Sequence, residues 1–158
     1  SNLKIKKNPV ELVDLYKTIM DLTGIKAPDF VQGNSLKNLL MNSDSITEKR
    51  SALSELRINL NGKVAQGYSI RTDRFRFTKW SYDNNNYNEL YDHDFDGEEK
   101  INLIDDLKYV ETIDSLKIVL DNRILDAKRK PKGLGRQIRN SKPNFEPERI
   151  YSFEKSKF

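Results

Sequence analysis

The 158-residue chain has no cysteine, a single histidine and seven glycines. Without a thiol there is no disulfide framework, no thiolate zinc site and no cysteine nucleophile, and one imidazole excludes a multi-histidine metal centre. Apolar residues make up 36%, against roughly 45–50% in a typical soluble domain when glycine is counted in place of tyrosine. Exchanging the seven tyrosines for the seven glycines leaves that share unchanged. So thin a supply of core residues implies a long solvated tail or a surface meant for another piece of protein. No run of about 18 apolar residues exists, so no segment reads as a membrane-spanning helix. The Ser1-Asn2 start lacks a signal peptide's apolar core, and the expectation is that any export signal is removed or was never there.

Charge is present but unevenly placed. The net charge is +4. Residues 128–158 hold ten basic and three acidic side chains, which leaves residues 1–127 with a net charge of −3. A basic arm of this kind binds nucleic acid, anionic polysaccharide or an acidic surface of its own protein, or is simply a solvated terminus.

The first element reads as a helix. Asn8 is a good N-cap, Pro9 suits the first helical position, and Glu11 completes a capping-box spacing. Leu12, Leu15, Tyr16, Ile19 and Leu22 form one apolar stripe, Gly24 suits the left-handed C-terminal position, and Pro28 prevents resumption. A shorter helix around Leu36, Leu39 and Leu40 follows, and 42–50 reads as a linker. From Ser51 the period changes. Ala52–Leu56 reads as a strand, 59–67 as turn-rich, and 68–72 and 74–80 as two strands joined by a tight turn near Asp73. In them Tyr68 and Ile70 alternate with Ser69 and Arg71, and Phe75 and Phe77 with Arg74, Arg76 and Thr78, the pattern of a half-buried antiparallel ribbon with one wet, positive face. The tract 81–88 reads as a polar loop and 89–91 as a short last strand. Val110, Ile113, Leu116, Leu120 and Ile124 mark a second long amphipathic helix. The expected class is α+β: a small antiparallel sheet of about four strands packed on a C-terminal helix, preceded by one or two helices.

Candidates for chemistry are few. Asp92, Asp94, Asp96 and Gly97 match the opening of a calcium loop, but its twelfth position is Leu103, where a bidentate Glu is required. An acidic surface turn is the plainer reading. His93 lies in the same loop with no nucleophile to serve. Trp80 with Phe75, Phe77 and Tyr82 could stack bases or sugars, and Arg71, Arg74 and Arg76 could hold phosphate or sulfate. The plainer alternative makes the aromatics core residues and gives Arg71 a structural salt bridge. Gly133-Leu134-Gly135-Arg136 lacks the third glycine and the preceding strand of a phosphate loop.

Four ordered blocks then carry a resemblance. The run from Asn8-Pro9-Val10-Glu11-Leu12 to Leu22-Thr23-Gly24 resembles the helix that follows the catalytic core in type I sulfatases. Gln32-Gly33-Asn34-Ser35-Leu36 with Leu39-Leu40 resembles their "QG-S-L-LL" segment. Gly67 through Trp80 resembles the strand pair of the iduronate-2-sulfatase-like branch. Glu89-Leu90-Tyr91-Asp92 with Asp96 to Leu103 resembles the "ELYD…DP-E--NL" block, with Gly97 in place of Pro. Together they cover about 8–105.

What the resemblance implies is the C-terminal region of a sulfuric ester hydrolase, in three parts: 1–45 from the end of the catalytic domain, 46–127 as the C-terminal subdomain, and 128–158 as a basic extension. The family's formylglycine arises from Cys or Ser in a C/S-x-P-x-R motif. The one Ser-x-Pro here, Ser141-Lys142-Pro143, is followed by Phe145 where Arg is needed. The resemblance thus assigns Ca2+, the formylglycine and all catalytic residues to a catalytic domain outside this chain and expects no activity from the chain alone. The partners it implies are that catalytic domain and a sulfated, glycosaminoglycan-type sugar, with no nucleic acid and no membrane, and the parent enzyme is expected to be periplasmic or secreted. Arg71, Arg74, Arg76, Trp80 and His93 are the candidate substrate-binding residues. If this holds, the stripe around Leu12, Leu15 and Ile19 is left exposed. The rival is a stand-alone binding module for anionic polysaccharide or nucleic acid, with strongly salt-dependent binding.

Overall fold

A computed structural model describes residues 8–41 and 50–129. The linker read at 42–50, apart from Arg50, and nearly all of the basic extension lie outside the described residues.

Four strands, β1 (Ala52–Leu60), β2 (Lys63–Arg71), β3 (Phe75–Tyr82) and β4 (Asn85–Asp92), form an antiparallel meander in sequence order. After a short 3-10 turn at Leu107–Tyr109, which Asp106 caps by accepting from the Lys108 N–H at 3.0 Å, comes α3 (Val110–Lys128). The expected α+β arrangement of a four-stranded sheet and a C-terminal helix is the one observed. Register explains the core. Leu53, Ile70, Phe77 and Leu90 stand in one row across all four strands. Ile70, Phe77 and Leu90 are fully enclosed against Ile113, Leu116 and Leu120 of α3. Period-2 alternation on the strands and a three- to four-residue repeat on the helix therefore meet at one seam.

The strands are longer than the sequence reading expects. The tract read as turn-rich from 59 to 67 is a two-residue hairpin at Asn61-Gly62, with φ of 51° and 80°. Both residues are left-handed, as a type I′ turn needs, and Asn-Gly is its strongest signal. The tract read as a polar loop from 81 to 88 is a second such hairpin, with Asp83 and Asn84 at φ of 50° and 62°. Its strands are polar because they project beyond the core, so polarity there marks exposure and not a loop.

The first helix also differs. α1 spans Asp14–Thr23, so it begins five residues after the expected start at Pro9, and no side chain caps it in the ordinary way. Glu11, read as the capping-box partner of Asn8, instead accepts from the Leu53 N–H at 2.9 Å and pairs with Arg123. The tertiary contact outcompetes the local cap. Residues 11–13 wind as a tight turn, and Gly24 ends α1 in the left-handed conformation expected of it (φ 73°). The inward face of α1 is polar. The Asp14 carboxylate accepts from the Glu11 N–H (3.1 Å), the Asn34 N–H (2.8 Å) and the Arg50 guanidinium (2.8 Å). Thr18 donates to the Asp14 carbonyl and accepts from the Leu36 N–H, which seats the start of α2 (Lys37–Met41). The apolar stripe consequently faces outward: Leu12 is 86% exposed and Ile19 59%, with Leu15, Tyr16 and Leu22 about half exposed.

Candidate functional site

Everything that β-strand alternation does not turn toward α3 lies on the opposite face of the sheet, and three rows cross it. The first is Ala52, Arg71, Arg76 and Tyr91; the second is Ser54, Ser69, Thr78 and Glu89; the third is Leu56, Gly67, Trp80 and Tyr87. The face thus grades from charged to aromatic along the strands. Between the extremes is a shallow cavity of about 260 Å3, whose lining includes Arg76, Trp80, Glu89, Tyr91 and Glu99.

Trp80 is placed by Gly67. A Cβ on that glycine would fall 2.6–2.9 Å from three carbons of the indole's six-membered ring. The ring therefore lies directly over the β2 backbone, a position open only where the cross-strand neighbour has no side chain.

Arg71 and Arg76 are cross-strand neighbours. Like charges so placed repel, and Glu99 answers this: its carboxylate lies 2.9 Å from Arg76 Nε and 2.7 Å from His93 Nε2. The His93 N–H donates to the Arg74 carbonyl at 2.8 Å, which anchors the loop that brings the imidazole there. Glu99 takes up a left-handed backbone (φ 58°) to reach this position. Such a conformation in a residue with a Cβ marks a constraint imposed by its surroundings. Burial, with Arg76 nearby, holds the Arg71 guanidinium below its ordinary pKa. Arg71 donates to the Thr72 and Phe75 carbonyls, so its structural role is to cap the β2–β3 turn and not the salt bridge considered from sequence. Burial, and behind it Glu89, Glu99 and Asp96, raises the Tyr91 phenol above its ordinary value.

Arg74 sits apart. It belongs to the turn between β2 and β3, where its guanidinium grips the fully buried Asp92 through two bonds of 2.8 and 2.6 Å. Asp94 lies 3.2 Å away and the Phe75 ring beneath. Hydrogen bonding from Arg74 pulls the Asp92 carboxyl below its ordinary value and raises Arg74 in turn. The acidic turn is thereby engaged internally, since Asp96 also accepts from the Ile101 N–H at 2.8 Å.

Of the five candidates, then, Arg76 and Trp80 line the cavity, Arg71 and His93 border it through the same cluster, and Arg74 is held at the turn. The ribbon is positive in sequence but not in space: Arg74, Arg76 and Lys79 pair with Asp92, Glu99 and Asp121. Sequence reasoning passed over Glu99, Glu89, Tyr91 and Gly67 as site residues. Glu99 had a signal as the Glu of the "DP-E--NL" block, and the others needed the strand register.

Three comparisons agree with this architecture. Residues 2–126 match the family described as N-sulphoglucosamine sulphohydrolase, C-terminal. A delta 4,5-hexuronate-2-O-sulfatase of Bacteroides thetaiotaomicron is 30% identical over 132 residues, which are 80% of this chain and 27% of that protein. A solved 2-O GAG sulfatase superposes with a TM-score of 0.60 at 28% identity, over 82% of this chain and 26% of its own. A second structure, of a protein in complex with its substrate D-glucosamine-2-N,6-O-disulfate, gives 0.59 at 26% identity over 70% and 23%. The chain therefore spans about a quarter of the length of these relatives. On a family match that takes in the helices, the sheet and most of α3, the chain belongs to the N-sulphoglucosamine sulphohydrolase C-terminal family, the C-terminal domain of sulfatases.

Proposed function

We propose that this chain is the non-reactive end of a glycosaminoglycan-type sulfatase, which braces a catalytic domain and supplies one wall of its substrate cleft. The observation that carries the reading is the inverted burial of α1. A ten-residue helix encloses Asp14 and Thr18 and leaves Leu15, Tyr16, Ile19 and Leu22 open, with Leu12 of the preceding turn exposed beside them. A full side chain of this size gains about 1.5–3 kcal/mol on burial, so several together favour a covering partner, and the catalytic domain is the partner this family supplies. Ca2+ and the formylglycine belong, on this reading, to that domain. Among the described residues no three Asp, Glu or His side chains converge to hold a cation. The sulfated sugar as substrate, and a periplasmic or secreted parent enzyme, are parts of the same proposal and rest on the relatives' chemistry.

The purified 158-residue chain is expected to leave an aryl sulfate and a 2-O-sulfated unsaturated disaccharide unhydrolysed. The polypeptide that carries this segment after a C/S-x-P-x-R pentapeptide is expected to turn the disaccharide over. Hydrolysis by the chain alone would refute the assignment.

A further inference from the structure

The cavity on the outer sheet face has chemistry that suits a sugar ring better than a sulfate group. Its charged lining is one guanidinium and two carboxylates: Arg76, Glu89 and Glu99. Arg76 is already paired with Glu99. A sulfate arriving there would have to break that pair and then face Glu89. Its aromatic lining is Tyr91 and Trp80, the indole lying over Gly67. At about 260 Å3 the space falls below the roughly 300–1,000 Å3 of sites that enclose drug-sized ligands, the scale of one ring and not of a chain.

We propose that this cavity is a subsite for an uncharged pyranose ring, with the Trp80 indole stacked on its C–H face and the Glu89 and Glu99 carboxylates accepting from its hydroxyls. Tyr91 adds a phenolic donor at the same wall. Carboxylates are acceptors only, so neighbouring hydroxyls on one ring edge are the donors they match. An aromatic ring with an apolar face and polar surroundings is the usual partner for a ligand with both. The proposal rests on the cleft-wall reading and specifies it: this wall reads the sugar's ring, and the sulfate is held elsewhere.

Trp80 is the one tryptophan in the chain, so intrinsic emission reports on this cavity alone. The 158-residue chain is titrated with chitotriose, which is neutral, and separately with a fully sulfated heparin tetrasaccharide, each at about 50 and 500 mM salt. Chitotriose is expected to shift the Trp80 emission saturably and equally at both salt concentrations. Glu89→Gln is expected to weaken that binding about tenfold, and Gly67→Leu, which displaces the indole, to abolish it. Amide NMR spectra of both variants establish that the sheet is retained. No Trp80 response to chitotriose at millimolar concentration overturns the proposal, as does a response to heparin alone that disappears at high salt. In a full-length enzyme that still hydrolyses sulfate esters, chitotriose binding that Glu89→Gln leaves unchanged sinks the subsite and spares the cleft-wall reading. Binding that Glu89→Gln weakens, in a full-length polypeptide without turnover, supports the subsite and sinks that reading.

Discussion

Asp14 is a carboxylate at 2% exposure, facing inward from the start of a helix whose leucines face out. It is tolerated there because two backbone N–H groups and Arg50 together satisfy it, the condition under which a buried charge is retained. Asp14→Ala is expected to cost about 3–5 kcal/mol, since it removes the buried carboxylate from two backbone N–H groups and from the Arg50 guanidinium, itself 6% exposed. Urea unfolding would measure this, and a loss under about 1 kcal/mol would show the pair to be dispensable. Asp92 makes a pH-dependent contribution. Its carboxyl is held below its ordinary value of 3.8, chiefly by Arg74. The unfolded chain therefore binds a proton at higher pH than the fold does. The stabilisation is fully present above about pH 4 and fades as pH falls through the depressed value. The gap in urea midpoint between the native chain and Asp92→Asn should accordingly narrow between about pH 6 and pH 3. A gap that stays constant with pH would remove Asp92 from this role.

At the scale of elements, the α3 seam and the hairpins carry the sheet. Leu120 is wholly enclosed against the row formed by Ile70, Phe77 and Leu90, and Leu120→Ala is expected to cost about 2–5 kcal/mol in a denaturant titration. Gly62 holds the β1–β2 turn at a φ of 80°. A β-branched residue there is strained, so Gly62→Val should destabilise by about 1–3 kcal/mol. An unchanged unfolding midpoint would mean that the projecting hairpin tip is independent of the core. These elements were not equally legible. α3 could be read at Ile113, Leu116, Leu120 and Ile124, where its repeat and its burial coincide, while Val110 at its start is exposed. The β3–β4 tip could not, because Asn84-Asn85-Asn86 lacks the apolar alternation that identifies a strand; the β1–β2 tip carried both signals, Leu56, Ile58 and Leu60 alternating with Arg57 and Asn59 ahead of Asn61-Gly62, and was passed over. The start of α1 was misplaced for a different reason: the residues of a good local cap, Asn8 and Glu11, sit in a chain where Glu11 meets Leu53 and Arg123.

Across the whole molecule, the exposed stripe on α1 and the paired charges of the outer sheet face are the surfaces that matter. If the catalytic domain covers α1, Leu15→Glu with Ile19→Glu should leave the isolated chain's unfolding midpoint within about 0.5 kcal/mol of native. The same pair in the full-length polypeptide should lower soluble yield and thermal midpoint sharply, and equal behaviour in both contexts would rule out that interface. Legibility of the site followed the same physics. Phe75 and Phe77 opposite Arg76 could be assigned to faces from period two alone, and the family blocks brought the sulfatase resemblance into view. The amino-acid sequence by itself determined the class, the α3 seam, the apolar stripe and the membership, because these depend on local periodicity and on ordered short motifs. Only the tertiary structure decided that Trp80 lies over Gly67, that Glu99 joins Arg76 to His93, and that Arg74 is bound to Asp92. Each of those pairs depends on a hairpin register, which turn length and apolar alternation set together, or on a loop returning from elsewhere in the chain, and neither follows until every turn residue has been placed.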